Sequence, residues 1–236
     1  MLHWIDGFFL LLLFVAMPIY SAISYRRYLA QIAGGKPADR VALYDSSRIM
    51  HLLALLVLFG TWQILDRDAA DVGLVMPDFT GLMIGAGLTT VILGLLLYAF
   101  YYAKKLDLAA RAAQVESLGP LEHFLPQTDK ELRSAYLVSI SAGFAEEIVY
   151  RGFVLWCLVP FMPIWAALIV SSIGFGLAHS YQGVAGVLKT GGIGMFLGIV
   201  YVVTGTIWIP IVMHALLDIL QMATARELFR AEPLAE

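Results

Sequence analysis

The sequence is poor in cysteine and in charged residues, and both shortages narrow the class of protein. A single cysteine, Cys157, excludes an intrachain disulfide framework. Charged residues make up only 14% of the chain, and the net charge of −3 argues against a nucleic-acid partner. Hydrophobic residues make up 60%, with a mean hydropathy of +0.81. One globular core does not bury so much apolar surface, so the composition predicts an integral membrane protein.

Basic residues are also missing from the start of the chain. Residues 1–6 contain no Lys or Arg, and the apolar run after them leads into Pro18, Tyr20 and Tyr25. A secretory signal normally has a basic start and a small-residue cleavage site. We therefore expect this run to be retained as the first membrane span.

Seven segments are apolar and long enough to be candidate membrane helices, which need about 20 residues. They are 7–25, 49–65, 79–103, 135–159, 161–179, 191–204 and 206–222. The sixth is short and glycine-rich, which predicts a tilted or broken helix, or one that extends back toward Gly183. The predicted fold class is all-α: a polytopic membrane helix bundle with about seven to eight transmembrane helices.

Lys and Arg residues in the loops predict the orientation of these spans. Residues 26–48 and 104–133 each hold five basic side chains, whereas 66–78 hold one Arg and four Asp. Arg226 and Arg230 follow the last span. We expect the N-terminus outside, the two basic loops and the C-terminus in the cytoplasm, and the protein in a bacterial inner (plasma) membrane.

The chain divides into three predicted parts. Residues 1–104 form N-terminal transmembrane helices, residues 105–130 form a cytoplasmic interfacial linker, and residues 131–225 form a second helix bundle. Within the linker, 104–118 predict an amphipathic surface helix that stops at Gly119-Pro120. An ordinary cytoplasmic loop helix is the alternative.

The fourth span contains three charged residues, Glu146, Glu147 and Arg151. A charge at the centre of a membrane helix costs about 2.5–3.5 kcal/mol on insertion scales, so such residues are functional candidates. Glu147 and Arg151 are four apart and predict a structural ion pair. Glu146 points about 100° away from Glu147 and has Tyr150 as its four-residue neighbour, so it is the candidate reactive carboxylate. A polar network that only locks helix packing is the alternative.

Histidines mark the later spans. His179 ends the fifth span, and the seventh contains His214 and Asp218, four residues apart on one helix face. Asp218 could orient the imidazole of His214 and fix its tautomer, or the two could form a purely structural pair. His51, at the start of the second span, is predicted to lie at the membrane interface.

This set of residues predicts hydrolysis by an activated water. Glu146 would be the general base, His179 would hold the same water, and His214 would stabilise the developing oxyanion. Glu146, His179 and His214 are also candidate ligands for a divalent metal such as zinc. Their spacing is not H-E-x-x-H, so the sequence does not require a metal.

Three motifs in order resemble the CPBP family of intramembrane proteases, which includes type II CAAX prenyl endopeptidases and bacterial Abi proteins. The motifs are Glu146-Glu147-x-x-x-Arg151, Phe175-x-x-x-His179 and His214-x-x-x-Asp218. The resemblance covers roughly residues 130–225. It implies a Glu-dependent membrane endopeptidase whose substrate is a membrane-associated peptide or a prenylated protein.

In the family, the first glutamate and the histidine of the second motif activate water, and the residues of the third motif form the oxyanion site. The resemblance therefore assigns water activation to Glu146 and His179, and the oxyanion site to His214 and Asp218. The eukaryotic enzymes have Asn where this chain has Asp218, and an ionised Asp cannot donate to an oxyanion. Asp218 is either protonated or orients His214.

Two other functions are weighed against the protease. One is a non-catalytic membrane protein of the same family that serves in immunity or as a scaffold. The other is a proton-coupled transporter in which Glu, His and Arg form a relay. Transporters often contain internal repeats, and this sequence shows none, which weakens the transporter hypothesis.

Overall fold

The computed structural model describes residues 2–230, and within this range the chain folds into eight helical rods joined by short loops. In chain order they are α1 (Trp4–Ala33), α2 (Arg40–Ile64), α3 (Phe79–Lys105), α4 (Leu108–Leu118), α5 (129–158), α6 (Ile164–Ala178), α7 (Gly183–Thr204) and α8 (Trp208–Leu228). The described residues form no strand. The predicted all-α class is confirmed.

Seven of the rods, all except α4, overlap the seven predicted spans. By length and composition, α1, α2, α3, α7 and α8 can each cross a membrane, and α6 is a shorter apolar helix of 15 residues. The helix α5 is less apolar because it carries Glu146, Glu147 and Arg151. The sixth span does extend back to Gly183, as one of the sequence alternatives predicted.

The helix α5 begins with a capping box and contains a change of helix type. The Thr128 side chain accepts a hydrogen bond from the Glu131 backbone, and the Glu131 side chain accepts one from the Thr128 backbone. Residues Ile148–Val154 form π-helical turns that begin directly after Glu147. Such turns are rare and occur often at functional sites.

Helix α5 packs between α2 and α8, and α6 packs against α7. Small residues allow these contacts, as is usual between membrane helices. A Cβ added at Gly143 on α5 would lie 2.8 Å from the Ala215 nitrogen on α8, and one added at Gly176 on α6 would lie 2.6 Å from the Val187 carbonyl oxygen on α7. Close contacts of this kind join α5 to α8 and α6 to α7, next to the polar half of α5.

The two basic loops lie at the same end of the bundle. The Tyr25 hydroxyl donates to the Pro120 carbonyl at 2.8 Å, and the Arg40 guanidinium lies 3.4 Å from the Glu131 carboxylate. The linker helix α4 begins later than the predicted residue 104, because α3 continues through Lys105 and the next helix starts only after the Asp107 cap.

Candidate active site

Glu146 on α5 faces three imidazoles that come from three other elements. The Nε2 atom of His51 on α2 lies 3.4 Å from its Oε1. The Nε2 atoms of His179, at the end of α6, and His214 on α8 lie 3.8 and 3.9 Å from its Oε2. The structure therefore brings together the three residues predicted to act on water and oxyanion, and adds His51.

Glu147 lies on a different side of α5 and is fully buried. Its Oε1 accepts a hydrogen bond from the Arg151 Nη1 at 2.8 Å and lies 2.7 Å from His214 Nδ1. The other guanidinium nitrogen, Nη2, donates to the Gly194 carbonyl on α7 at 2.8 Å, and the guanidinium lies 4.4 Å from the centre of the Phe175 ring. Glu147 and Arg151 therefore connect α5 to α6, α7 and α8 as well as to each other.

Asp218 is the most exposed of the predicted site residues, with 33% of its side chain accessible. Its Oδ2 lies 3.6 Å from Nε2 of His214, whereas Glu147 lies 2.7 Å from Nδ1 of the same ring. Glu147 is therefore the closer carboxylate to the His214 ring. The orienting role that the i,i+4 spacing suggested for Asp218 stays a prediction.

Two of the three imidazoles, those of His179 and His214, have Nδ1 next to an oxygen that only accepts. Nδ1 of His179 lies 2.9 Å from the Phe175 carbonyl oxygen, and that of His214 lies 2.7 Å from the Glu147 carboxylate. Carbonyl and carboxylate oxygens only accept, so both Nδ1 atoms carry a hydrogen. Their Nε2 atoms are consequently the ones available to Glu146 and to a substrate.

His51 was predicted to lie at the membrane interface, and the structure places it in this cluster, beside Glu146. Its Nδ1 lies 3.0 Å from the Ser141 hydroxyl on α5. No spacing rule relates His51 to Glu146, because the two are on different helices. The only sequence signal is the presence of an imidazole in an otherwise apolar second span.

A divalent-metal site was one of the possibilities that the residue types suggested. Among residues 2–230, no set of three or more His, Cys, Asp and Glu side chains is grouped closely enough to count as a metal site. Glu146, His179 and His214 stay predicted candidates for metal ligands. Cys157 is buried at 1% exposure, in the apolar cluster that also contains Phe153 and Ile148.

Together these features define a polytopic all-α membrane protein with a buried carboxylate–imidazole site. Residues 129–220, which contain all three motifs, match the family model described as type II CAAX prenyl endopeptidase Rce1-like. Over this segment the chain is similar to CAAX-type intramembrane proteases, and the resemblance seen in the sequence is confirmed. Comparisons with curated proteins and with solved structures gave no match.

Proposed function

We propose that the protein is an intramembrane endopeptidase that hydrolyses a peptide bond with a water molecule activated by Glu146 and His179. The observation that carries the proposal is the environment of Glu146 Oε2. This atom is buried, has no hydrogen-bond partner among the described residues, and faces two imidazole Nε2 atoms at 3.8 and 3.9 Å. A water bound to Oε2 lies within reach of both rings, which is the arrangement that general-base catalysis needs.

The reaction assigns one task to each group. Glu146 takes a proton from the water while Nε2 of His179 orients the same water, and the hydroxide adds to the substrate carbonyl carbon. The carbonyl oxygen becomes an oxyanion, which His214 stabilises by donating from Nε2 as an imidazolium. The carbon–nitrogen bond then breaks as Glu146 returns the proton to the leaving amine. The carboxylates of Glu147 and Asp218 flank His214 and balance its charge.

An apolar groove next to the site supports a membrane-associated substrate. It has a volume of about 520 Å³ and lies between α2, α5 and α8. Its lining is almost entirely apolar, including Leu55, Ile140 and Leu216, with His51 and Ser141 as its polar members. Since His51 also contacts Glu146, the groove adjoins the site, with His51 between them. We propose that it receives the apolar part of a prenylated or membrane-embedded peptide, in keeping with the family match.

The test uses two variants of purified protein, Glu146→Gln and His179→Ala, with prenylated and unprenylated membrane peptides. Each change should lower kcat by about 10²–10⁴-fold, because it removes a group that acts on water in the transition state. The thermal unfolding temperature should stay near that of the wild type. His123→Gln, a histidine outside the site, is the matched control and should leave cleavage unchanged.

Retention of full cleavage by Glu146→Gln would overturn the proposal. Wild-type protein that cleaves none of a broad panel of membrane peptides would favour the immunity or scaffold function. Proton-driven solute uptake by the protein in sealed vesicles would favour the transporter.

A further inference from the structure

We propose that His51 is a positioning residue for Glu146: it holds Oε1 of the carboxylate so that Oε2 faces His179 and His214. This inference rests on the proposed function and deepens it. His51 lies on α2, outside residues 129–220 that match the family, so nothing in the family match assigns it a role. The inference depends on three observations: the hydrogen bonds of Ser141, the two different environments of the Glu146 oxygens, and the position of His51 beside the groove.

Ser141 fixes the ring of His51. The Ser141 hydroxyl donates its one proton to the Val138 carbonyl at 3.0 Å. The same oxygen lies 3.0 Å from His51 Nδ1. With Nδ1 on the Ser141 side, Nε2 of the ring is directed at Glu146.

The two oxygens of Glu146 have different surroundings. Oε1 lies 3.4 Å from His51 Nε2, whereas Oε2 is buried without a hydrogen-bond partner and faces the other two imidazoles. The contact with His51 is made by Oε1 alone, which leaves Oε2 free to act on water.

His51 also separates Glu146 from the apolar groove. It lines the groove, its side chain is only 17% exposed, and its other face contacts the carboxylate. A side chain that served packing alone would not need to offer one nitrogen to a serine and the other to the reactive carboxylate. The arrangement on α2 and α5 is therefore a chain from Val138 through Ser141 and His51 to Glu146.

Two substitutions separate positioning from packing. His51→Leu keeps a side chain of similar size and loses both polar contacts, whereas His51→Gln keeps an N–H donor that can reach Oε1. We expect His51→Leu to lower kcat by about 10²-fold with little change in KM, since small misplacements of a catalytic group have effects of this order. His51→Gln should recover most of that loss. His123→Gln again serves as the control histidine.

A second measurement reports the contact without any cleavage. Dicyclohexylcarbodiimide, a lipid-soluble carboxyl reagent, should label Glu146 several-fold faster in His51→Leu than in the wild type or His51→Gln, because Oε1 is then released. Peptide mass spectrometry locates the label, and Glu146→Gln is the blank. Equal labelling of Glu146 in wild type and His51→Leu would overturn the inference.

The cleavage results distinguish failure of the inference from failure of the proposed function. If Glu146→Gln abolishes cleavage while His51→Leu keeps the wild-type kcat, His51 has no positioning role and the protease proposal stands. A His51→Leu protein that loses kcat and thermal stability together, without rescue by Gln, has lost a packing residue, which also overturns the inference. Cleavage that survives Glu146→Gln refutes the proposed role of Glu146 in the reaction, and carbodiimide labelling of wild type and His51→Leu still tests the contact.

Discussion

Glu146 and Glu147 are neighbours in the sequence but have different partners in the structure. Glu147 is fully buried between a guanidinium and an imidazole, whereas Glu146 faces imidazoles only. The helix geometry explains the difference, since consecutive side chains point about 100° apart. The ion pair of Glu147 and Arg151 thus offsets the cost of a buried charge, and Glu147 also contacts Nδ1 of His214.

Arg151→Met should destabilise the protein by about 3–5 kcal/mol, because it leaves the Glu147 carboxylate buried without its cation. The double variant Glu147→Leu/Arg151→Met removes both charges and should recover much of this loss. Cleavage should remain low in both proteins. In the double variant, the reason is that His214 no longer has a carboxylate at Nδ1. Thermal unfolding in detergent and peptide cleavage measure the two effects. A double variant no more stable than Arg151→Met would contradict the ion-pair argument.

At the scale of the helices, the site depends on how closely α8 approaches α5. Gly143 on α5 lies against α8: a Cβ there would be 2.8 Å from the Ala215 nitrogen and 3.0 Å from the Ile211 carbonyl oxygen. Gly143 is one turn before Glu147, and Ala215 directly follows His214. The same close approach therefore sets the 2.7 Å contact between Glu147 and His214.

Gly143→Ala should separate α5 from α8 and reduce cleavage by about 10- to 100-fold through misplacement of His214. The loss of stability should be smaller, about 1–3 kcal/mol, which is typical of overpacking. Gly87→Ala on α3 is the matched control, because a Cβ at Gly87 meets nothing within 4 Å. Cleavage assays and thermal unfolding of both variants provide the comparison. Equal behaviour of the two variants would show that the close approach at Gly143 has no role in the site.

At the scale of the whole molecule, the end of the bundle that carries the basic loops also holds the C-terminal end of α8. Arg226 lies 3.1 Å from Asp129, at the start of α5, and Arg111 on α4 donates to the Arg230 carbonyl. The predicted cytoplasmic segments thus contact one another, which supports placing them on one side of the membrane. The four-Asp loop follows the opposite end of α2, whose 25 residues extend over about 37 Å.

We propose that the basic end faces the cytoplasm, and single cysteines can test this. The background is Cys157→Ala, and the new cysteines are Lys36→Cys at the basic end and Ala70→Cys in the acidic loop, both at exposed positions. In intact spheroplasts, a membrane-impermeant maleimide should label Ala70→Cys only. Lys36→Cys should react after the membrane is permeabilised. The reverse pattern would show that the charge rule fails for this protein.

Much of the fold follows from local properties of the sequence. Apolar length predicted seven segments that each overlap a helix of the structure, five of which are long and apolar enough to cross a membrane. The extension of the sixth to Gly183 was among the sequence alternatives. The start of α4 was predicted too early, because Asp107 caps a separate helix and α3 continues to Lys105. Caps and loop starts depend on single side-chain hydrogen bonds, so pattern reasoning locates them less well than whole helices.

The sequence alone determined which residues share one helix face, because the spacing along a helix is fixed: Glu147 with Arg151, and His214 with Asp218. It also determined that Glu146 points elsewhere. Only the tertiary structure decided that Glu147 rather than Asp218 holds Nδ1 of His214, and that His51 joins Glu146. Both contacts cross between helices, where the distance depends on side-chain packing over the whole interface rather than on the periodicity of either helix.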